Sequence, residues 1–276
     1  MLHILFITAA LIAPLILNGN SSSFNAADER GERSIVIVTT SYNNKIWYQK
    51  NLESIFKQNY HNYTVIYVDD CSPDGTGQLV EEYIQKNNQG HRTKLIKNSE
   101  RMGALGNYYK AICMCNDTAI VVQLDGSDFL ANDQVLSTIN DVYANPDVWF
   151  AYSQFMMWPA QRHGWNHDYQ ERHSEYGIRE CFPSHLHTFY AKLFKQIKLS
   201  DLMYKGELFQ MAWDAALIHP MVEMAQAQHI AFIPEILYLY NDANPIGDDK
   251  VNRPLQRELE KFIKNKMPYA PLEKLF

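Results

Sequence analysis

The sequence predicts an α/β domain with a mostly parallel central sheet, helices on both faces and an elaborated C-terminal half. Three observations carry this. Between Ser34 and Leu130 short β-branched runs alternate four times with segments of helical spacing. The connections are short and rich in turn formers, which suits βαβ units whose right-handed crossovers bring every strand's carboxyl end to one edge. Polar clusters then follow three of the runs: Thr39-Thr-Ser-Tyr-Asn43, Asp69-Asp70 and Asp125-Gly-Ser-Asp128.

Ile35-Val-Ile-Val38 reads as the first buried strand. Trp47, Leu52, Ile55 and Phe56 fall at helical spacing, and that segment stops at Asn59-Tyr-His-Asn62. Thr64 to Val68 is the second strand, ending in the turn-forming loop Asp69 to Gly75. Leu79, Val80, Tyr83 and Ile84 mark a second helix, and Lys94 to Lys97 a third, shorter strand. Ala104 to Cys115 is a third helix carrying Leu105, Tyr108, Tyr109 and Ile112, and Ala119 to Leu124 the fourth strand. Beyond Leu130 the regularity falls away. We expect a helix over Asp133 to Tyr143, a strand over Val148 to Tyr152 and an irregular stretch, rich in Trp, Tyr and His, over Phe155 to Cys181. Ser184 reads as the N-cap of a helix reaching Ile197, and a helical pattern returns over Leu208 to Gln228. Ile230 to Ile233 and Ile236 to Tyr240 read as two closing strands, and Arg253 to Lys266 as a charged surface helix.

The 276 residues are 46% hydrophobic and 20% charged, which gives room for one large domain with a sizeable core and excludes a disordered chain. A formal net charge of −6 argues against a nucleic-acid binder. The first charged side chain is Asp28; Ile4 to Leu17 is almost wholly apolar, short of the roughly 20 residues a bilayer span needs. Residues 1–27 therefore read as a signal peptide, with an uncleaved signal-anchor as the alternative. Either implies the secretory pathway or a membrane association through residues 4–17.

The four cysteines, Cys71, Cys113, Cys115 and Cys181, form no CxxC pair, so a structural zinc site of the usual spacing is not indicated. Free thiols are expected, with one disulfide open if the chain is exported. Five of the ten histidines lie between His163 and His187, but nothing in their spacing compels a zinc site; a His- and aromatic-rich loop over a site is the alternative, and ordinary packing the default for any single histidine.

Asp125 and Asp128 follow the fourth strand, at the sheet edge where open α/β folds bind ligands. Carboxylates gathered there suit a hard divalent cation shared with substrate phosphates. The alternative is a tight turn, since Asp-Gly is a common turn dipeptide.

The ordered segments Val36-Ile-Val-Thr-Thr-Ser-Tyr-Asn43, Val68-Asp-Asp-Cys-Ser-Pro-Asp-Gly-Thr76, Asn98 to Asn107 with Gly103, and Gln123-Leu-Asp-Gly-Ser-Asp-Phe-Leu130 carry a resemblance. The chain resembles a family 2 glycosyltransferase with the GT-A, Rossmann-like fold, most closely over Ser34 to Leu136. The resemblance implies that Ser41 and Tyr42 line a nucleotide-base pocket and that Asp70 bonds the uracil or ribose. It puts Arg101 and Asn107 near the donor, and makes Asp125 the first aspartate of the family's DxD motif. The motif's third position is Ser127, and the next carboxylate, Asp128, is expected to join Asp125 on a metal, Mg²⁺ or Mn²⁺. The matching catalytic base is Asp214, preceded by Trp213 where the family often has Glu.

So read, residues 34–136 form a nucleotide-sugar-binding half and residues 137–276 an acceptor and catalytic half. The loop Tyr240 to Pro245 matches one that closes over the diphosphate, with Asp242 or Asn244 completing the site. The implied activity is inverting sugar transfer from a UDP-sugar to a hydroxyl acceptor on a glycan, lipid or protein. A sugar-nucleotide-binding protein that has lost catalysis is the main alternative. A nucleotidyltransferase fits less well, because Thr39 to Lys45 lacks a glycine-rich phosphate loop.

Overall fold

A computed structural model describes residues 27–169, 183–246 and 248–276. The apolar segment read as a signal peptide or anchor, together with His173 and Cys181, lies outside the described residues.

β1 (Ile35–Ser41), β2 (Tyr63–Asp69), β3 (Thr93–Lys97) and β4 (Ile120–Asp125) form the parallel part of one mixed sheet. Every residue of β1 is buried, as expected for a central strand covered on both faces. The crossovers are α1 (Tyr48–Phe56), α2 (Thr76–Lys86) and α3 (Gly103–Cys113), so the first four strand readings and the three helices between them match the sequence to within a few residues.

The second half extends the same sheet. Its further strands are β5 (Phe129–Leu130), β6 (Phe150–Trp158), β7 (Arg162–His163), β8 (His187–Tyr190) and β11 (Ile230–Asn241), and the order is β3-β2-β1-β4-β8-β6-β11-β5, with β7 beside β6. A separate hairpin joins β9 (Met203–Tyr204) to β10 (Glu207–Leu208). The remaining helices are α4 (Val135–Val142), α5 (Ala191–Phe194), α6 (Trp213–Ala225), α7 (Asp248–Val251) and α8 (Arg253–Lys264).

Two expectations are corrected here. The helix expected from Ser184 to Ile197 is instead a short strand followed by one helical turn: β8 inserts antiparallel between β4 and β6, and only Ala191–Phe194 is α-helical. His187, Thr188, Phe189 and Tyr190 are all buried there, and packing between two strands outweighs the local N-cap signal. The two closing strands are one, β11, whose register against β6 shifts between Ile233 and Tyr238, around Pro234. Proline has no N–H for the ladder, and a bulge accommodates it.

A single buried cluster runs from Ile35 to Leu275 and draws on both halves of the chain. No helix among the described residues is long and apolar enough to cross a membrane.

Candidate functional site

Register places the three polar clusters side by side. Ser41 lies opposite Asp69 across the β1–β2 pair, and Thr40 opposite Asp125 across β1–β4. The Asp70 amide donates to the Ser41 carbonyl at 2.8 Å, so the chain turns out of β2 directly beside the end of β1.

Asp70 is buried and heavily bonded. Its Oδ1 accepts from the Met102 amide at 2.8 Å and the Asn98 side chain at 3.0 Å, and its Oδ2 from the Gly103 amide at 3.0 Å. Burial pushes its carboxyl up, but Met102, Asn107, Asn98 and Gly103 together hold it below the usual carboxylate range. A carboxylate so placed caps the N-terminus of α3. Asn98 also donates to Asn107 Oδ1 at 2.7 Å, bringing Asn107 into the same group. Exposed Arg101 packs its guanidinium 3.5 Å from the Tyr42 ring centre, with Nε 3.6 Å from Asp70 Oδ2.

The loop Asp125 to Asp128 is clamped from several sides. The Gly126 amide donates to the Thr40 carbonyl at 2.9 Å, and the Asn44 side chain donates to the Gly126 carbonyl. A Cβ at Gly126 would lie 2.8 Å from both the Ser41 Cβ and the Thr40 carbonyl oxygen, so only glycine lets the loop approach β1 this closely. Asn51 on α1 donates to the carbonyls of Asp125 at 3.0 Å and Asp128 at 2.8 Å.

The two carboxylates then differ. Asp125 is half-buried, and its Oδ1 accepts from the Tyr108 hydroxyl at 2.8 Å. Asp128 points inward: Oδ2 accepts from the Tyr238 hydroxyl at 2.6 Å and Oδ1 from the Asn241 amide at 2.8 Å. Burial first, then the neighbouring Asp125 charge, raises its carboxyl well above the usual range.

This arrangement tests the fit of a divalent cation. Among the described residues no three His, Cys, Asp or Glu side chains gather into a cage. Ser127 Oγ accepts from Asn244 at 3.1 Å, and a cation at Asp128 would have to displace Tyr238 or Asn241. The residues therefore fit a cation through Asp125 together with phosphate oxygens of a ligand, the mode Mg²⁺ favours.

Asp214 is the second residue of α6, half-buried, with Oδ1 accepting from the Ala215 amide at 2.8 Å. The helix is entered through Ala212 at φ 53°, a left-handed conformation that costs an alanine about 1–3 kcal/mol. Trp213 stacks on Tyr108, ring centres 5.0 Å apart and planes 23° from parallel. One tyrosine thus touches both the Asp125 loop and the helix that bears Asp214.

In the sequence, Tyr108 reads as a core position of its helix, and Asn51, Tyr238 and Asn241 carry no site signal of their own. An indirect signal is present: Asn51 and Tyr108 put polar groups on the core-facing stripes of their helices, and buried polar groups need partners. Of the two loop candidates, Asn244 reaches Ser127, whereas Asp242 lies 3.8 Å from Arg162. His185 stacks on Tyr238 and Tyr240 with ring centres 4.7 Å and 5.3 Å away, and His187 meets the Pro183 carbonyl at 3.0 Å.

Comparison with known proteins gives this edge of the sheet a context. The profile described as glycosyl transferase family 2 matches residues 36–218, from β1 into α6. A putative teichuronic acid biosynthesis glycosyltransferase of Bacillus subtilis, TuaG, is 31% identical over 65 residues, 24% of this chain and 26% of that protein. Among solved structures, S. aureus TarS (residues 1–349) in complex with UDP-GlcNAc superposes with a TM-score of 0.62 at 16% identity, covering 83% of this chain and 65% of that one. The mannosyltransferase PcManGT from Pyrobaculum calidifontis, in complex with GDP-Man and Mn²⁺, gives 0.61 at 16% identity, with 86% and 66% covered. The chain thus spans less than two thirds of the length of each of these three proteins. At such identities the structural likeness shows the GT-A fold, and the profile match, from β1 through the Asp125 loop to Asp214, shows more: the chain belongs to glycosyl transferase family 2.

Proposed function

We propose that this protein is an inverting glycosyltransferase that moves a hexose or N-acetylhexosamine from a UDP-sugar to an acceptor hydroxyl. The observation that carries the reading is the shared tyrosine: Tyr108 bonds Asp125 on the donor side and stacks on Trp213 next to Asp214. A candidate donor carboxylate and a candidate base are thereby linked through one pair of stacked rings. The UDP-GlcNAc held by TarS and the GDP-Man held by PcManGT support a nucleotide-sugar donor.

In this reading Ser41, Tyr42 and Arg101 flank the base, and Asp70 and Asn107 hold the α3 end of the pocket in place. Asp125 faces the ribose and diphosphate. When bound, Mg²⁺ or Mn²⁺ at Asp125 offsets charge on the diphosphate. Asp128 is reassigned from metal ligand to buried buttress of the loop. Asp214 takes the acceptor hydroxyl proton as that oxygen forms its bond to the anomeric carbon from the face opposite the leaving group. The carbon–oxygen bond to the diphosphate breaks, UDP leaves with the electron pair, and the sugar's anomeric configuration inverts. Residues 34–136 supply the donor half, and residues 137–276 the acceptor half.

The test is calorimetric titration with UDP and with GDP, each in the presence and absence of Mn²⁺, followed by a transfer or donor-hydrolysis assay over a panel of UDP-sugars. Failure of both UDP and GDP to bind would sink the donor site. Binding without turnover favours a second reading, a sugar-nucleotide-binding protein without catalysis. Ser127 in the motif and Trp213 in place of Glu before Asp214 support that alternative.

A further inference from the structure

We infer that Tyr108 and Trp213 form a strut that sets the position of Asp125 relative to Asp214; this rests on the glycosyltransferase reading above. Tyr108 is fully buried, and a phenylalanine there would fill the same core space. Its hydroxyl instead donates to Asp125 Oδ1 at 2.8 Å. The bond fixes the carboxylate's rotamer in a half-buried loop, where a hydrogen bond to a charged group is stronger than a neutral one.

The other face of the strut is the ring. Trp213 opens α6 and Asp214 follows it, so the 5.0 Å stack on Tyr108 holds the helix entry where the candidate base stands. The backbone does not define that entry by itself, because Ala212 takes the left-handed conformation only when its surroundings impose it. Tyr108 also belongs to α3, the helix whose N-terminal amides bind Asp70. One rigid helix thus sets the base pocket, the Asp125 loop and the Asp214 helix in register. Such registration matters because misplacement of reacting groups by about 1 Å costs on the order of 10²-fold in rate. Tyr108 and Trp213 are positioning residues, acting through Asp125 and Asp214.

The experiment compares the full-length wild type with Tyr108→Phe, Trp213→Leu and Trp213→Phe. UDP affinity with Mn²⁺ is measured by calorimetry, donor KM and kcat in the assay that detects wild-type turnover, and Tm by calorimetric scan. Tyr108→Phe keeps the ring and loses the bond, so it should weaken UDP and raise donor KM about tenfold, with kcat changed less. Trp213→Leu should lower kcat roughly 10- to 100-fold while UDP affinity stays within about twofold. Trp213→Phe, which keeps an aromatic face, should recover most of that kcat. A merely structural role would lower Tm and leave KM and kcat per folded molecule unchanged, and that result overturns the strut. So does Tyr108→Phe binding UDP as the wild type does. If the wild type binds UDP without turnover, the transfer reading fails while the UDP arm still decides the Tyr108 bond. If the wild type binds neither UDP nor GDP, the donor-site reading fails and takes the strut's role in it along.

Discussion

The Asn244 side-chain amide donates to Ser127 Oγ at 3.1 Å, tying the loop after β11 to the motif position where the resembled family carries its second aspartate. The tie is reinforced on both sides. Asn241 donates to the Ser127 carbonyl at 3.1 Å, and Lys250 Nζ donates to the carbonyls of Asp242 and Asn244, both at 2.7 Å. A side chain at 127 thus sits half-buried against an amide donor, next to Asp125. Ser127→Asp should keep the Asn244 contact and add a second carboxylate for a cation shared with the diphosphate. We expect Mn²⁺ affinity in the presence of UDP to rise by about tenfold, as ligand charge count tunes such sites. Mn²⁺ titration followed by electron paramagnetic resonance reads this directly, and equal affinities in the two proteins would show that position 127 does not face the cation.

Gly126 gives a sharper steric test. Its absent Cβ is what lets the loop lie against Ser41 and the Thr40 carbonyl, both 2.8 Å from where that atom would be. The Thr40 contact is backbone and cannot rotate away. Gly126→Ala should cost about 1–3 kcal/mol of stability and shift Asp125 off its Tyr108 bond. Denaturant unfolding measures the first effect, and loss of UDP binding by the folded variant the second. An alanine variant with unchanged midpoint and affinity would mean that the loop sits farther from β1.

What the sequence disclosed follows from which forces act locally. β1, β2 and β4 are short β-branched runs bounded by turn formers, so periodicity alone marks them, and chain handedness then gathers Ser41, Asp70 and Asp125 at one edge. β8 was not legible, because His187–Tyr190 is made a strand by two distant neighbours, β4 and β6, while Ser184 three residues upstream signals a helix start. β11 read as two strands because Pro234 interrupts a ladder that a bulge repairs. Asp128 illustrates the limit for site residues. Its spacing from Asp125 suggests a shared ion, but the direction of the side chain depends on Tyr238 and Asn241, more than a hundred residues away in sequence.

The buried histidine of β8 predicts an acid limb. His187 is fully buried, and burial lowers its pKa from 6.5 to about 4, the Pro183 carbonyl opposing the shift only in part. A group whose folded pKa is depressed supports the folded state above its unfolded pKa and withdraws that support as pH falls towards the folded one. Between pH 6.5 and about 4 the unfolded chain therefore takes up a proton that the folded protein refuses. The slope is about 1.4 kcal/mol per pH unit for one proton. Neighbouring His185, lowered to about 3 first by burial and then by His187, adds its own share. His187→Gln keeps a donor for Pro183 and removes one titration. The stability lost between pH 6.5 and 5 should shrink by about 2 kcal/mol in this variant, as measured by urea unfolding. Parallel pH profiles would mean that His187 is protonated in the folded protein.

Asp214 is separable from the donor side by which kinetic quantity its loss damages. Its carboxylate stands at the start of α6, where the helix dipole favours a negative charge, and the rings of Trp213 and Tyr108 link that helix entry to Asp125. Asp214→Asn keeps the shape and the hydrogen bond to the Ala215 amide but cannot take a proton. UDP affinity should therefore stay within about twofold, while kcat falls by roughly 10² to 10⁴, the usual share of general base catalysis. Asp125→Ala should do the reverse to binding: it removes the metal-dependent part of UDP affinity and deletes the carboxylate to which the Tyr108 hydroxyl donates. A single-turnover measurement at saturating donor separates chemistry from product release and so compares the two variants at the chemical step. Near-normal turnover in Asp214→Asn would remove it from the mechanism. The search would then move to Glu207, which lies on β10 just ahead of α6, since Glu223 and Asp201 are tied to Tyr269 on the far side of that helix.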